Sequence, residues 1–172
     1  MVTGGPGSGK TTLIEALGAQ GYPAMPEAGR AIIQDQVAIG GAALPWGDRL
    51  AFSELMLGWE LRSYREAQRH AGTVLFDRGI PDVAGYLALS GLPVGAHVTR
   101  AVAAFRYRPD VFIAPPWPEI FTSDAERRQS PQEAEATYHA LAQAYSEAGY
   151  RLVPLPRAPV AERVRFVLSR IG

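Results

Sequence analysis

The chain of 172 residues has no cysteine, no asparagine and only one lysine, Lys10. Without cysteine, disulfides and thiolate metal sites are excluded. Without asparagine and a second lysine, the Asn-Lys-x-Asp signature that reads guanine cannot be written. No apolar run reaches the roughly 18 residues that a membrane-spanning helix needs, so no membrane partner is expected. The N-terminal stretch is glycine-rich and polar, unlike a signal peptide, and a cytoplasmic protein is the expectation. Lys and Arg total 17 against 17 Asp and Glu, a formal net charge of zero. The basic footprint of a nucleic-acid binder is therefore missing, and no nucleic-acid partner is expected.

What remains is a normal globular balance, 47% hydrophobic and 20% charged. Such a chain can bury a proper core without staples. Repeats, low-complexity segments and linkers are absent, and residues 1–172 read as a single domain. Because 16 of the 17 basic residues are arginine (17 − 1), the place of the one lysine carries information.

That place is Gly4-Gly5-Pro6-Gly7-Ser8-Gly9-Lys10-Thr11, which fits G-x-x-x-x-G-K-[ST] at every fixed position. Glycines let the backbone turn its N–H groups onto phosphate oxygens. The helix that follows aims its positive end at the same anion. Gly5, Pro6, Gly7, Ser8, Gly9, Lys10, Thr11 and Thr12 are thus the expected nucleotide cradle. Lys10 should reach the β- and γ-phosphates, and the Thr11 hydroxyl should ligate Mg²⁺. A buried strand of about five residues normally precedes such a loop. Only Met1-Val2-Thr3 stand here. Either the strand is very short or the natural start lies upstream, and the second is the expectation.

Downstream, strands alternate with helices. Helix is predicted over Thr11–Ala19, Ala28–Ile39, Asp48 to about Ala71, Pro81–Leu89, Gly95–Phe105, Ser130 to about Ala148, and Val160–Ile171. Strands are predicted near 21–27, 73–76, 110–114 and 150–155. Asp48 suits an N-cap, and Ser130-Pro131-Gln132-Glu133 is a capping box with proline at the first helical position. The alternation means an α/β domain with a mainly parallel sheet, whose ligands sit at the carboxyl ends of the strands.

Several polar residues fall at those ends. Asp77 follows Val74-Leu75-Phe76, so it either holds Mg²⁺ opposite Thr11 or caps the next turn. Arg78 either grips an acceptor or phosphate, or makes a surface ion pair. Glu27 either accepts the proton of an attacking hydroxyl or caps the helix behind it. Arg30, one turn on, is a candidate for the acceptor site, and Trp46 and Trp117 either pack or wall an acceptor pocket. Asp124-Ala125-Glu126-Arg127-Arg128 could close as a lid over about 119–131, with Arg127 and Arg128 adding positive charge over the transferring phosphoryl group. Arg157, after the last strand, could border an adenine. His70, His97 and His139 show no metal spacing.

Gly4–Thr11, Glu27-Ala28-Gly29-Arg30, Asp77-Arg78-Gly79 and the Asp124–Arg128 segment together resemble a P-loop kinase-like NTPase. The chain is most similar to bacterial AAA-domain or predicted ATPase proteins laid out like nucleoside and nucleotide kinases. The resemblance implies a three-layer αβα fold with a five-stranded sheet of order 2-3-1-4-5 and a short lid. In nucleoside kinases a Glu resembling Glu27 is the base, and an Arg resembling Arg78 follows strand three. The family lid carries arginines resembling Arg127 and Arg128. The length leaves no room for the helical lid domain of AAA+ ring machines.

The leading expectation is an ATP- and Mg²⁺-dependent kinase acting on a small molecule with a hydroxyl or phosphate acceptor. The alternatives are a nucleotide-dependent switch or accessory ATPase acting on a protein partner, and a module that binds nucleotide without turnover.

Overall fold

The structure is a computed structural model that describes residues 1–120 and 130–172. Its elements run β1 (Val2–Gly4), α1 (Lys10–Gly18), β2 (Ala24–Met25), α2 (Ala28–Ile39), α3 (Arg49–Ala67), β3 (Leu75–Phe76), α4 (Ile80–Leu89), α5 (Ala96–Ala104) and β4 (Asp110–Ala114). A 3-10 turn at Pro118–Ile120 follows, then α6 (Pro131–Glu147), β5 (Arg151–Pro154) and α7 (Val160–Ile171). None of the described helices is long and apolar enough to cross a membrane.

Every pairing between strands is parallel, as expected for an α/β chain. β1, β4 and β5 form a three-stranded sheet in that order, with Val2 opposite Phe112 and Asp110 opposite Arg151. β2 and β3 form a separate two-stranded sheet, with Ala24 opposite Leu75. The expected single five-stranded sheet of order 2-3-1-4-5 is therefore corrected to three strands plus two. The two sheets meet at one parallel bridge between Val2 and Asp77, where the Arg78 N–H donates to the Val2 carbonyl at 2.9 Å. The ladder stops there for a local reason. Arg78 takes φ 72, outside any strand geometry, one residue past the bridge.

The capping signals act as read. The Asp48 carboxylate accepts from the Ala51 N–H at 2.9 Å and starts α3. Ser130 and Glu133 cap each other reciprocally at the head of α6, at 2.6 and 3.2 Å. Val2, Leu13, Leu17, Phe112 and Val167 join β1, α1, β4 and α7 in one buried cluster. A second cluster ties α2 through α5 by Ile32, Phe52, Met56, Val83 and Val98. α4 lies against α6 at Gly85, where a Cβ would sit 2.7 Å from Leu141. These packings hold the carboxyl ends of β1, β2 and β3 at one place.

Candidate phosphate-loop site

The loop leaves β1 at Gly4 and enters α1 at Lys10. Gly9 is the N-cap of α1, with φ 70 and no side-chain cap, so the first-turn N–H groups of α1 take no bond from a capping side chain. The Lys10 ammonium is buried and donates to the Gly5 carbonyl at 2.6 Å and to the Ser8 hydroxyl at 3.4 Å. Ser8 in turn donates to the same carbonyl at 2.7 Å. Thr11 and Thr12 lie exposed on the first turn of α1.

The two ends that follow β2 and β3 bring three further residues to the loop. Glu27 stands at the N-cap of α2 but makes no capping hydrogen bond. Its carboxylate instead accepts from Arg78 Nε at 2.9 Å. Arg78 is buried and also donates to Asp82 at 3.2 Å. Burial opposes its charge, but Glu27, Asp82 and Asp77 outweigh burial and push its pKa up, so it is a permanent cation. Asp77 caps nothing. Its Oδ1 is buried with no hydrogen-bond partner among the described residues. Burial raises its pKa and Lys10 opposes that rise, which sets the lysine and the carboxylate within each other's field.

An orphaned buried carboxylate oxygen suits a hard cation. Asp77, with Thr11, could hold Mg²⁺, which keeps waters and substrate oxygens and needs few protein ligands. No cluster of three or more His, Cys, Asp or Glu among the described residues forms a metal cage.

Beside the loop opens a cavity of about 530 Å³ whose walls include Pro6, Glu27, Arg78, Asp82, Phe52 and Tyr86. A second cavity, about 510 Å³, is lined by Met1, Pro109, Arg151 and Arg170, away from the loop.

The sequence matches the family model described as an AAA domain over residues 1–163. The chain belongs to the AAA-domain family. No curated protein matches it. Family and loop together make this AAA-domain protein an ATP-binding P-loop protein.

Other candidates fall elsewhere. Arg30 is exposed on the first turn of α2, and Gly29 lines the cavity in its stead. Trp117 does not line the cavity either, and its ring lies 5.7 Å from the Arg163 guanidinium. The aromatic at the rim is Trp46. Arg157 is exposed between β5 and α7. Arg127 and Arg128, with most of the expected lid, lie outside the described residues. His97, at the start of α5, faces Glu54 in the first half of α3 at 2.8 Å.

Three residues of this AAA-domain protein's site escaped the sequence reading. Arg163, on α7, is buried and donates to the Ser8 and Gly9 carbonyls at 3.2 and 3.0 Å. It clamps the loop from behind, and a Cβ at Gly9 would meet it at 2.6 Å. Asp82 gathers Arg78, the Thr3 hydroxyl at 2.6 Å, the Gly79 N–H at 3.0 Å and the Tyr145 hydroxyl at 2.5 Å. Glu60, on α3, is buried, and burial first, then Asp82, raises its pKa well above the ordinary value. Asp82 is four residues past Arg78, helical spacing that could have flagged the pair. Nothing local marks Arg163 or Glu60.

Proposed function

We propose that the protein is an ATP-dependent kinase that transfers the γ-phosphoryl group to a hydroxyl of a small molecule. The observation that carries this reading is Glu27. It forgoes the cap of α2 and is held by Arg78 at 2.9 Å, at the wall of a cavity that begins at Pro6 of the phosphate loop. The cavity of about 530 Å³ beside the phosphate loop, with a fixed carboxylate in its wall, gives room for a small acceptor.

In this reading the acceptor hydroxyl oxygen forms a bond to the γ-phosphorus, and the bond to the β–γ bridging oxygen breaks. The electron pair of that bond leaves with ADP, and the hydroxyl proton passes to the Glu27 carboxylate. Lys10 turns from the Gly5 carbonyl to the phosphates and offsets their charge. Arg78 is a positioning residue: it fixes the base, and Asp82 fixes Arg78. Thr11 and Asp77 would hold Mg²⁺, which neutralises phosphate charge as it develops. Arg127 and Arg128 would add charge from the lid, and Arg157 would border the adenine.

The test is ADP formation that depends on an acceptor. It should vanish in Lys10→Ala and fall by about 10²–10⁴ in Glu27→Gln with nucleotide affinity kept. Hydrolysis independent of every acceptor, equal in wild type and Glu27→Gln, would favour a nucleotide switch working on a protein partner.

A further inference from the structure

The acceptor cavity has a chemistry of its own. Its inner wall carries Glu27, Asp82 and Arg78, and Arg78 is already committed to both carboxylates. The rim adds Arg49, whose Nε is tied to the Pro45 carbonyl at 3.0 Å, and Glu133. Among the described residues this lining counts three carboxylates against two guanidiniums. A phosphomonoester would meet a net negative lining there, and Arg78, the buried guanidinium, is already paired with two carboxylates.

The rest of the cavity is apolar and aromatic. Ile33 and Met56 form the floor, and Phe52 and Tyr86 meet edge to face with ring centroids 5.4 Å apart. Trp46 stands at the rim, 61% exposed, although large aromatics are seldom left in water. The Tyr86 hydroxyl is buried and out of hydrogen-bond geometry with any described residue; burial raises its pKa, with the Ser90 hydroxyl and Arg49 opposing.

We infer that the acceptor is an uncharged alcohol carrying an aromatic ring: the ring lies against Phe52, Tyr86 and Trp46, and the hydroxyl points to Glu27. This deepens the kinase reading and rests on it for the fate of the hydroxyl. The net charge of the described wall disfavours acceptors whose reacting group is a phosphate. The aromatic wall disfavours ringless polyols.

Binding is measured by thermal shift on the intact protein, saturated with Mg²⁺ and a non-hydrolysable ATP analogue. The probes are thymidine and phenyl glucoside, their matched phosphomonoesters, and glycerol and glucose. Trp46→Ala and Met56→Trp are run beside wild type; the first changes an exposed side chain and the second fills the floor. The shift each shows with the nucleotide analogue alone reads its folding. The expected result is that an uncharged aromatic alcohol binds at least about tenfold more tightly than its phosphomonoester. Trp46→Ala should weaken that binding, and Met56→Trp should abolish it. Equal or tighter binding of a phosphomonoester overturns the inference. So does binding of glycerol or glucose as tight as that of the aromatic alcohols, binding by none of the probes, or wild-type binding in both variants. The kinase reading fails separately. If aromatic alcohols bind but are not phosphorylated with ATP, that reading falls and the cavity assignment stands. If a phosphomonoester is phosphorylated, the kinase reading stands and this inference falls.

Discussion

Arg78 occupies the left-handed region at φ 72, which costs a non-glycine residue about 1–3 kcal/mol. Glycine would sit there without strain. The strain is offset by a guanidinium that reaches Glu27 and Asp82 from one buried position. Arg78→Lys keeps the charge but loses the planar fork, so it cannot hold both carboxylates. Phosphoryl transfer is expected to slow by at least about tenfold, with the Kd for ATP unchanged, read by steady-state kinetics and calorimetry. An unchanged rate would mean that Glu27 does not need this partner. Glu60 makes a pH prediction. Its folded pKa lies above the ordinary 4.5, mainly through burial and then through Asp82, Asp77 and Glu27, with Arg78 opposing. The folded state therefore keeps a proton that the unfolded chain releases. This contribution to stability is complete below pH 4.5 and is lost as pH rises through the folded pKa. Glu60→Gln does not titrate, so its stability relative to wild type should grow with pH above 4.5, as measured by urea unfolding at a series of pH values. A difference that stays constant with pH would contradict this. Glu27, Asp77 and Arg78 were legible because they stand at strand ends, where an α/β sheet exposes its ligands. Glu60 was not, because one acid on a long amphipathic helix looks like any solvated charge until the helix is packed.

At the scale of elements, α7 is more than the end of the chain. Through Arg163 it bonds two consecutive loop carbonyls, and a charged hydrogen bond of this kind contributes about 1.5–3 kcal/mol. Arg163→Met should keep the apolar packing and free the loop. The expectation is an ATP affinity weaker by about tenfold and a faster amide exchange at Ser8 and Gly9, read by calorimetry and hydrogen exchange. Loss of affinity with no change in exchange would place Arg163 in direct contact with nucleotide instead. The bounds of α2, β4 and α7 were legible in full, since proline, glycine and capping residues punctuate them. The break between β3 and β1 was not. It depends on the φ of one arginine, and arginine carries no sequence sign of a left-handed backbone. Nor was the α7 clamp, since a residue at position 163 and a loop at 8–9 share no local pattern.

For the molecule as a whole, one region gathers the carboxyl ends of β1, β2 and β3, the phosphate loop, and a cavity of about 530 Å³. Ligand binding should therefore be felt by the entire fold. Mg-ATP at about 100 times its Kd should stabilise the protein by about 2.7 kcal/mol, seen as a rise in Tm. Lys10→Ala should show little of that rise, and a full rise in the variant would place the nucleotide elsewhere. The loop was legible from a single stretch of residues, and the family from that stretch together with three others. The acceptor cavity was not, because α2, α3, α4 and α6 each supply one wall of it and its shape exists only once they pack. The central claim, that a carboxylate in this cavity serves a phosphoryl acceptor, is tested most directly by ADP release from Mg-ATP. The assay is run with and without aromatic alcohols, in wild type, Lys10→Ala and Glu27→Gln. The account predicts stimulation by an acceptor in wild type, none in Lys10→Ala, and a loss of about 10²–10⁴ in Glu27→Gln with ATP still bound. ADP release that no acceptor stimulates, at the same rate in wild type and Glu27→Gln, would contradict it.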